Sequence, residues 1–144
     1  MTKPQTETLA RSLILSRIDY CNAVLHGELT GTIQKLQQVQ NNAAWIVLQV
    51  QRRFHAKPFQ QHQLHWLPVQ QQITYKLAFL TYKVRSTSIP VYLHRRIAER
   101  ACSQTLRSAA IPVLDKPFVR TDFSERAFRS SAQTVWNSLP QIGP

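Results

Sequence analysis

Apolar residues recur at steps of three and four positions through the first part of the chain, the spacing of a helix with one buried face. The first such segment runs from Glu7 to about His26. Gly27 is the residue type that commonly ends a helix, because it adopts left-handed backbone angles without steric cost. The apolar positions of this predicted helix are Leu9, Leu13, Ile14, Ile18, Cys21 and Leu25.

A second helix is predicted to open at Thr30 or Gly31, and no glycine or proline interrupts it before Pro58. The connection from the first helix is short, which favours an antiparallel helix pair. The basic stretch from Gln51 to Pro58 is predicted to be a connector. The apolar stripe of the second helix consists of Ile33, Leu36, Val39, Ala43, Ile46 and Val47.

Two further helices are predicted after prolines. Pro68 suits the start of a helix over Val69 to about Arg85, since the first helical position needs no N–H donor. Pro90 would begin a shorter fourth helix. The apolar positions of these two helices are Ile73, Leu77, Leu80 and Val84, followed by Tyr92, Leu93 and Ile97.

The helical pattern fades after Arg100. Pro112 and Pro117 flank an apolar run that favours extended backbone. The last apolar group, from Phe123 to Leu139, is predicted to form a short strand and a helical turn that Pro140 ends. The sequence therefore predicts a mainly α fold, a small bundle of about four helices with an irregular, partly extended C-terminal third. We expect one unit over residues 1–144, with a helical core over about 7–100 and a tail over 101–144.

Six short phrases, in this order, resemble the C-terminal region of LINE-type (non-LTR) retrotransposon reverse transcriptases of the jockey-like kind. The resemblance runs from about Leu9 to Pro140 and concerns the region that follows the polymerase palm and fingers. The phrases are Ser16-Arg17-Ile18-Asp19-Tyr20-Cys21-Asn22, Leu36-Gln37-Gln38-Val39-Gln40-Asn41-Asn42-Ala43-Ala44, Leu64-His65-Trp66-Leu67-Pro68-Val69, Leu80-Thr81-Tyr82-Lys83, Arg126-Ala127-Phe128 and Val135-Trp136-Asn137-Ser138-Leu139-Pro140.

The resemblance implies a helical, non-catalytic region close to the template–primer or to the RNA of the element. Residues Leu9–Leu48 would then be thumb-like or lie just beyond the thumb. The chain departs from the usual pattern of the family at Glu28-Leu29, Trp45, Gln72 and Gln133.

The charge of the chain favours a polyanionic partner. Eighteen Lys and Arg against seven Asp and Glu give a net charge of +11. The span from Arg52 to Arg107 holds ten basic residues and one acidic residue, Glu99. Cations concentrated in this way release counterions when they neutralise phosphates, which favours binding to RNA or DNA. The alternative is a basic, solvated surface without a partner.

The sequence offers no candidate catalytic residue. DNA polymerisation needs paired carboxylates that hold two metal ions, and no two acidic residues are adjacent in this chain. Cys21 and Cys102 are far apart, and His62 and His65 lack further ligands nearby, so neither a zinc site nor a disulfide scaffold is indicated. With three glycines there is no phosphate-binding loop. We expect no cofactor, no metal and no small-molecule substrate.

The candidate site is the basic central span, where cations alternate with aromatic residues as in surfaces that follow a nucleic-acid backbone. Tyr75 and Tyr82 could stack on bases or could instead belong to the core. Trp66 and Trp136 are predicted to be buried anchors. The candidate nucleic-acid-binding residues are Arg52, Arg53, Lys57, Lys76, Lys83, Arg85, Arg95, Arg96 and Arg100.

These observations predict a non-catalytic remnant of a reverse transcriptase that binds RNA or DNA non-specifically through electrostatic contacts. Two alternatives stay open: a helical packing module that contacts the missing polymerase domains or another partner, and an inactive remnant. No window approaches the roughly 18 consecutive apolar residues of a membrane span, and Met1–Gln5 lacks a signal-peptide core. We expect no membrane partner and a nuclear or cytoplasmic location.

Overall fold

The computed structural model describes residues 2–20, 22–51, 60–99 and 113–140, and these residues are mainly helical. The mainly α fold class predicted from the sequence is therefore confirmed. The described part of the chain contains no β-strand, only an isolated antiparallel bridge between Glu99 and Leu114. Contacts between Cα atoms divide the chain into two compact units, Met1–Ile73 and Thr74–Pro144. The single unit predicted over residues 1–144 stays a prediction.

The first unit opens with a continuous helical segment. It consists of α1 (Lys3–Ala10), a π-helical turn (Arg11–Leu15) and α2 (Ser16–Asp19). It begins four residues before the predicted Glu7, because Pro4 lies in the first turn, where no N–H is needed. The Thr2 amide donates to Gln5 Oε1 at 3.0 Å, which satisfies one of the free N–H groups of this end.

A 3₁₀ turn (Asn22–Leu25) and Gly27 complete the connection to the next helix. The helical segment ends at Asp19, because Tyr20 has extended backbone with ψ 117°, so the helix predicted to run to about His26 was too long. Gly27 has the left-handed backbone of a stop residue, with φ 75°, but it follows the 3₁₀ turn and not the helix.

Helix α3 (Thr30–Leu48) ends just before the predicted connector, which begins at Gln51. Gln49 adopts a left-handed conformation with φ 55°, and its N–H donates to Ile46 O at 3.3 Å. The Val50 N–H donates to Trp45 O at 3.2 Å, so the last turn closes through the backbone. This end agrees with the sequence prediction, which placed a connector from Gln51 onward.

The first unit buries two apolar clusters. One joins α1 and α3 to the π-helical turn Gln60–Leu64, and the other joins α2 and α3 to the start of α4 (Val69–Thr87). Gln40 is fully buried in α3, whereas Val39 and Ile46 of the predicted stripe are exposed. The clusters consist of Ala10, Ala43, Ala44, Val47, Leu64 and Trp66, and of Ile18, Ile33, Val69 and Ile73.

The second unit holds most of α4, then α5 (Val91–His94), α6 (Asp122–Arg126) and α7 (Phe128–Ser138). Residues 113–121 form no helix, and the bridge at Leu114 lies there. The strand predicted within Phe123–Leu139 was wrong, because these residues form α6 and α7. Helix α7 ends at Ser138, two residues before Pro140, as the proline predicted.

Among the described residues, no helix has the length and apolar character needed to cross a membrane.

Candidate nucleic-acid interface

Helix α4 has two chemically different faces. Leu77, Thr81 and Val84 are at most 1% exposed and form the inner face of the helix in the second unit. The sequence Tyr-Lys occurs twice, seven residues apart, at Tyr75-Lys76 and Tyr82-Lys83. Since seven residues make almost two helical turns, Tyr82 lies almost directly above Tyr75 on the helix, and Lys83 lies almost directly above Lys76.

The outer face of α4 is aromatic. The exposed fractions of Tyr75, Phe79 and Tyr82 are 61%, 50% and 59%, and we call these three residues the aromatic face. The rings of Tyr75 and Phe79 stack, with centroids 6.2 Å apart and an interplanar angle of 19°. Tyr75 and Tyr82 are therefore surface residues, and the interpretation that places them in the core is wrong.

Two lysines accompany the aromatic face along one side of α4, and we call Lys76 and Lys83 the lysine flank. Lys83 is exposed and Lys76 is half-buried. They are separated by about 10.5 Å along the helix axis, at 1.5 Å per residue. The lysine flank thus presents positive charge next to exposed rings.

Arg85 has a different environment from the two lysines. Its Nη2 donates to Glu99 Oε1 at 2.7 Å, and its guanidinium carbon lies 4.8 Å from the centroid of the Trp136 ring. Only 19% of its side chain is exposed. Arg85 was predicted to contact nucleic acid, but the structure commits its guanidinium to a carboxylate and an indole ring, so we omit it from the interface.

Arg95 and Arg96 follow directly after α5, and both are exposed. Within the described ranges, the side chains of Arg95, Arg96 and Lys83 make no ion pair. The backbone of this turn is held in place, because Gln133 Nε2 donates to Arg96 O at 3.0 Å. The two guanidinium groups are therefore carried by a fixed backbone while their charge stays in water.

Four predicted residues, Arg52, Arg53, Lys57 and Arg100, lie outside the described residues. Their part in binding stays a prediction.

Trp66 and Trp136 belong to two of the six phrases described above, and each packs within its own unit. Trp66 is 4% exposed and belongs to the first cluster, and its backbone N–H donates to Gln60 O at 2.8 Å. This confirms the predicted buried anchor.

Trp136 is half-buried beneath Arg85. The adjacent Asn137 accepts the Leu114 N–H at 3.0 Å and donates to Leu114 O at 2.9 Å, which attaches the segment at Leu114 to α7.

A set of buried amide side chains joins two of the signature phrases in the first unit. Gln40 Nε2 donates to Leu67 O at 2.9 Å, and Gln37 Oε1 accepts the Val69 N–H at 2.9 Å. The Val69 amide lies at the start of α4, so Gln37 caps that helix from α3. The phrases over 36–44 and 64–69 are therefore joined through polar side chains as well as apolar contacts.

Further bonds link these amides to one another. Gln37 Nε2 lies 2.9 Å from Asn41 Oδ1, and Gln60 Nε2 donates to the same oxygen at 2.9 Å. We call Gln37, Gln40, Asn41 and Gln60 the amide cluster. The sequence analysis missed it, although Gln37, Gln40 and Asn41 recur at helical spacing beside the apolar stripe, and that spacing was the available signal.

No group of three or more potential metal ligands occurs among the residues that the structure describes. His62 and His65 are both exposed. Burial lowers the pKa of His26 below its usual value of 6.5. Its Nδ1 is buried without a hydrogen-bond partner.

Comparisons with protein-family models, with curated proteins and with solved structures give no match to this chain.

Proposed function

We propose that this chain binds RNA or DNA non-specifically through cations of its second unit, and that it performs no catalysis. The cations concerned are Lys76 and Lys83 on α4 and Arg95 and Arg96 after α5. The observation that carries the proposal is the exposure of Lys83, Arg95 and Arg96 without ion pairs among the described residues. Charges that no carboxylate neutralises are available to phosphates at little desolvation cost.

The distribution of charge in the second unit supports a polyanion. Its described residues hold nine Lys and Arg against four Asp and Glu. The cations lie on a helix flank and at a turn rather than in a concave pocket with hydrogen-bond donors aimed at base edges. Such an arrangement contacts phosphates and supplies no sequence readout, hence the proposed lack of specificity.

The proposed origin is a retrotransposon reverse transcriptase, an RNA-directed DNA polymerase, with this chain corresponding to the region that follows the catalytic palm. The six phrases described above carry this part of the proposal, and the amide cluster supports it, because it joins two of them. The nucleus or the cytoplasm is the proposed location.

Fluorescence anisotropy with labelled single-stranded RNA and with duplex DNA, over a series of salt concentrations, tests the binding. We expect micromolar or tighter binding and a log–log salt slope steeper than about −3, since several phosphates would be neutralised. The variant Lys83→Ala/Arg95→Ala/Arg96→Ala should lose affinity uniformly across sequences. Its slope should flatten by roughly 2 to 3, at 0.7–0.9 for each phosphate contact.

The matched control is Lys116→Ala/Arg120→Ala/Arg129→Ala, which removes the same number of charges from exposed positions of the same unit. It should weaken binding much less. Equal losses in the two variants would mean that only net charge matters. Absence of salt-dependent binding by the unmodified chain would refute the proposal altogether.

A second candidate function is a helical packing module, and exposed apolar side chains of the first unit favour it. Leu13, Tyr20, Val24 and Leu29 are 66%, 80%, 73% and 71% exposed. Large apolar residues exposed in this way are typical of contacts with another protein surface. Self-association or partner association that persists at high salt would support this function, because salt does not screen apolar contacts.

A further inference from the structure

Among the described residues of the second unit, none covers the aromatic face of α4. Tyr75, Phe79 and Tyr82 each expose half or more of their surface, and the stacked rings of Tyr75 and Phe79 present flat apolar area to water. Helix stability does not require rings at these positions, because the inner face already supplies the buried contacts. A ligand with flat apolar groups would gain by covering them.

Unpaired nucleobases are such groups. The faces of bases in a duplex are stacked on one another and cannot reach an exposed ring, whereas a single strand can turn its bases outward onto tyrosine and phenylalanine. The spacing fits a strand, since positions 75, 79 and 82 follow one another along the helix at intervals of about 6 and 4.5 Å. Exposed rings would therefore favour single strands over duplexes. The lysines would not discriminate between them, because both carry phosphates.

Charge decides between a nucleic acid and a second copy of this chain as the occupant. The lysine flank lies directly beside the aromatic face. Helix α4 contains no acidic residue, so the same face of a second copy would offer nothing to neutralise the exposed Lys83. A polyanionic strand would instead place its phosphates against Lys76 and Lys83.

We propose that the outer face of α4 is a binding site for single-stranded RNA or DNA, with bases stacked on Tyr75, Phe79 and Tyr82 and the backbone along Lys76 and Lys83. This inference rests on the proposed function, because it assumes nucleic-acid binding, and it adds the preference for unpaired strands and the residues that produce it.

Three labelled probes of equal length test the site in the full chain: a single-stranded oligonucleotide, an abasic strand with the same phosphates but no bases, and a duplex. The chain should bind the base-bearing strand at least about tenfold more tightly than the abasic strand, at roughly fivefold or more for each stacked base. The duplex should bind about as weakly as the abasic strand.

The decisive variant is Tyr75→Leu/Phe79→Leu/Tyr82→Leu, which keeps apolar, helix-forming side chains and removes the rings. It should bind all three probes alike, with the salt slope unchanged. The matched control, Tyr92→Leu/Phe118→Leu/Phe123→Leu, removes three aromatic rings that are 70%, 88% and 83% exposed outside α4. It should keep the preference for the base-bearing strand.

The other outcomes separate the two proposals. Equal, salt-dependent binding of all probes by the unmodified chain would overturn the stacking site and leave the electrostatic function standing. Absence of salt-dependent binding would overturn both. An unmodified chain that sediments as an oligomer and becomes monomeric in the leucine variant, with oligonucleotide binding unchanged, would assign the aromatic face to a protein contact instead.

Discussion

Replacing Gln37 by methionine tests whether the amide cluster holds the first unit together. Val69 is fully buried, and its N–H donates to Gln37 Oε1 at 2.9 Å. Methionine has a similar length but offers no comparable acceptor, so this donor would be buried without a partner, which costs about 1–3 kcal/mol. Loss of the bond from Gln37 Nε2 to Asn41 adds roughly 0.5–1 kcal/mol.

The remaining bonds of the cluster limit the total loss. Gln60 still donates to Asn41, and Gln40 still donates to Leu67 O. We therefore expect the free energy of unfolding to fall by about 2–3 kcal/mol in Gln37→Met.

Urea denaturation followed by far-ultraviolet circular dichroism measures the effect, and the midpoint should fall by roughly 1 M or more. The matched control is Gln38→Met, the same substitution at the adjacent, exposed position of α3. Its unfolding free energy should stay within about 0.5 kcal/mol of the parent. Equal midpoints for the two variants would refute the reasoning, because the cluster would then contribute nothing beyond helix formation.

Three further predictions concern single positions. Asn137→Ala should accelerate hydrogen exchange at the Leu114 amide about tenfold or more, because that N–H loses its acceptor; unchanged exchange would contradict it. Gln49→Gly should stabilise the chain by about 0.5–1 kcal/mol in urea denaturation, since glycine adopts φ 55° without steric cost; a lower midpoint would contradict it. Burial lowers the pKa of His26 below its usual value of 6.5, so its stabilising contribution is complete above that pH and is lost as pH falls through the folded-state pKa. His26→Gln should therefore flatten the fall of the urea midpoint below pH 6.5, and an unchanged pH profile would contradict the cause.

Local signals in the sequence predicted the course of α4 closely. Pro68 marked its start, and its apolar stripe matches the buried residues Ile73, Leu77 and Val84. The end of α3 at Leu48 agrees with the connector predicted from Gln51, although the left-handed conformation of Gln49 that closes the helix leaves no mark in the sequence. The helical turn predicted before Pro140 lies within α7, whereas α6 and the first part of α7 were missed, because the apolar group that begins at Phe123 suggested a short strand there.

The candidate site was predicted in part. Charge alone selected Lys83, Arg95 and Arg96, which the structure shows to be exposed, while their part in binding stays a prediction. Charge could not identify the role of Arg85, because its contacts with Glu99 and Trp136 join positions far apart in sequence. Nor could periodicity decide between core and surface for Tyr75 and Tyr82, since an aromatic residue on a helix is compatible with both. Only the position of the buried face resolves that choice.

The division of α4 into two faces would separate folding from the proposed recognition. Substitutions at Tyr75, Lys76, Phe79, Tyr82 or Lys83 change side chains at the outer surface, whereas the inner face supplies the packing. A lineage of this sequence could consequently lose, reverse or retarget its ligand preference through a few surface changes while the scaffold persisted. The same helix is for that reason a convenient place to engineer new affinities, because altering its outer residues leaves the core contacts intact.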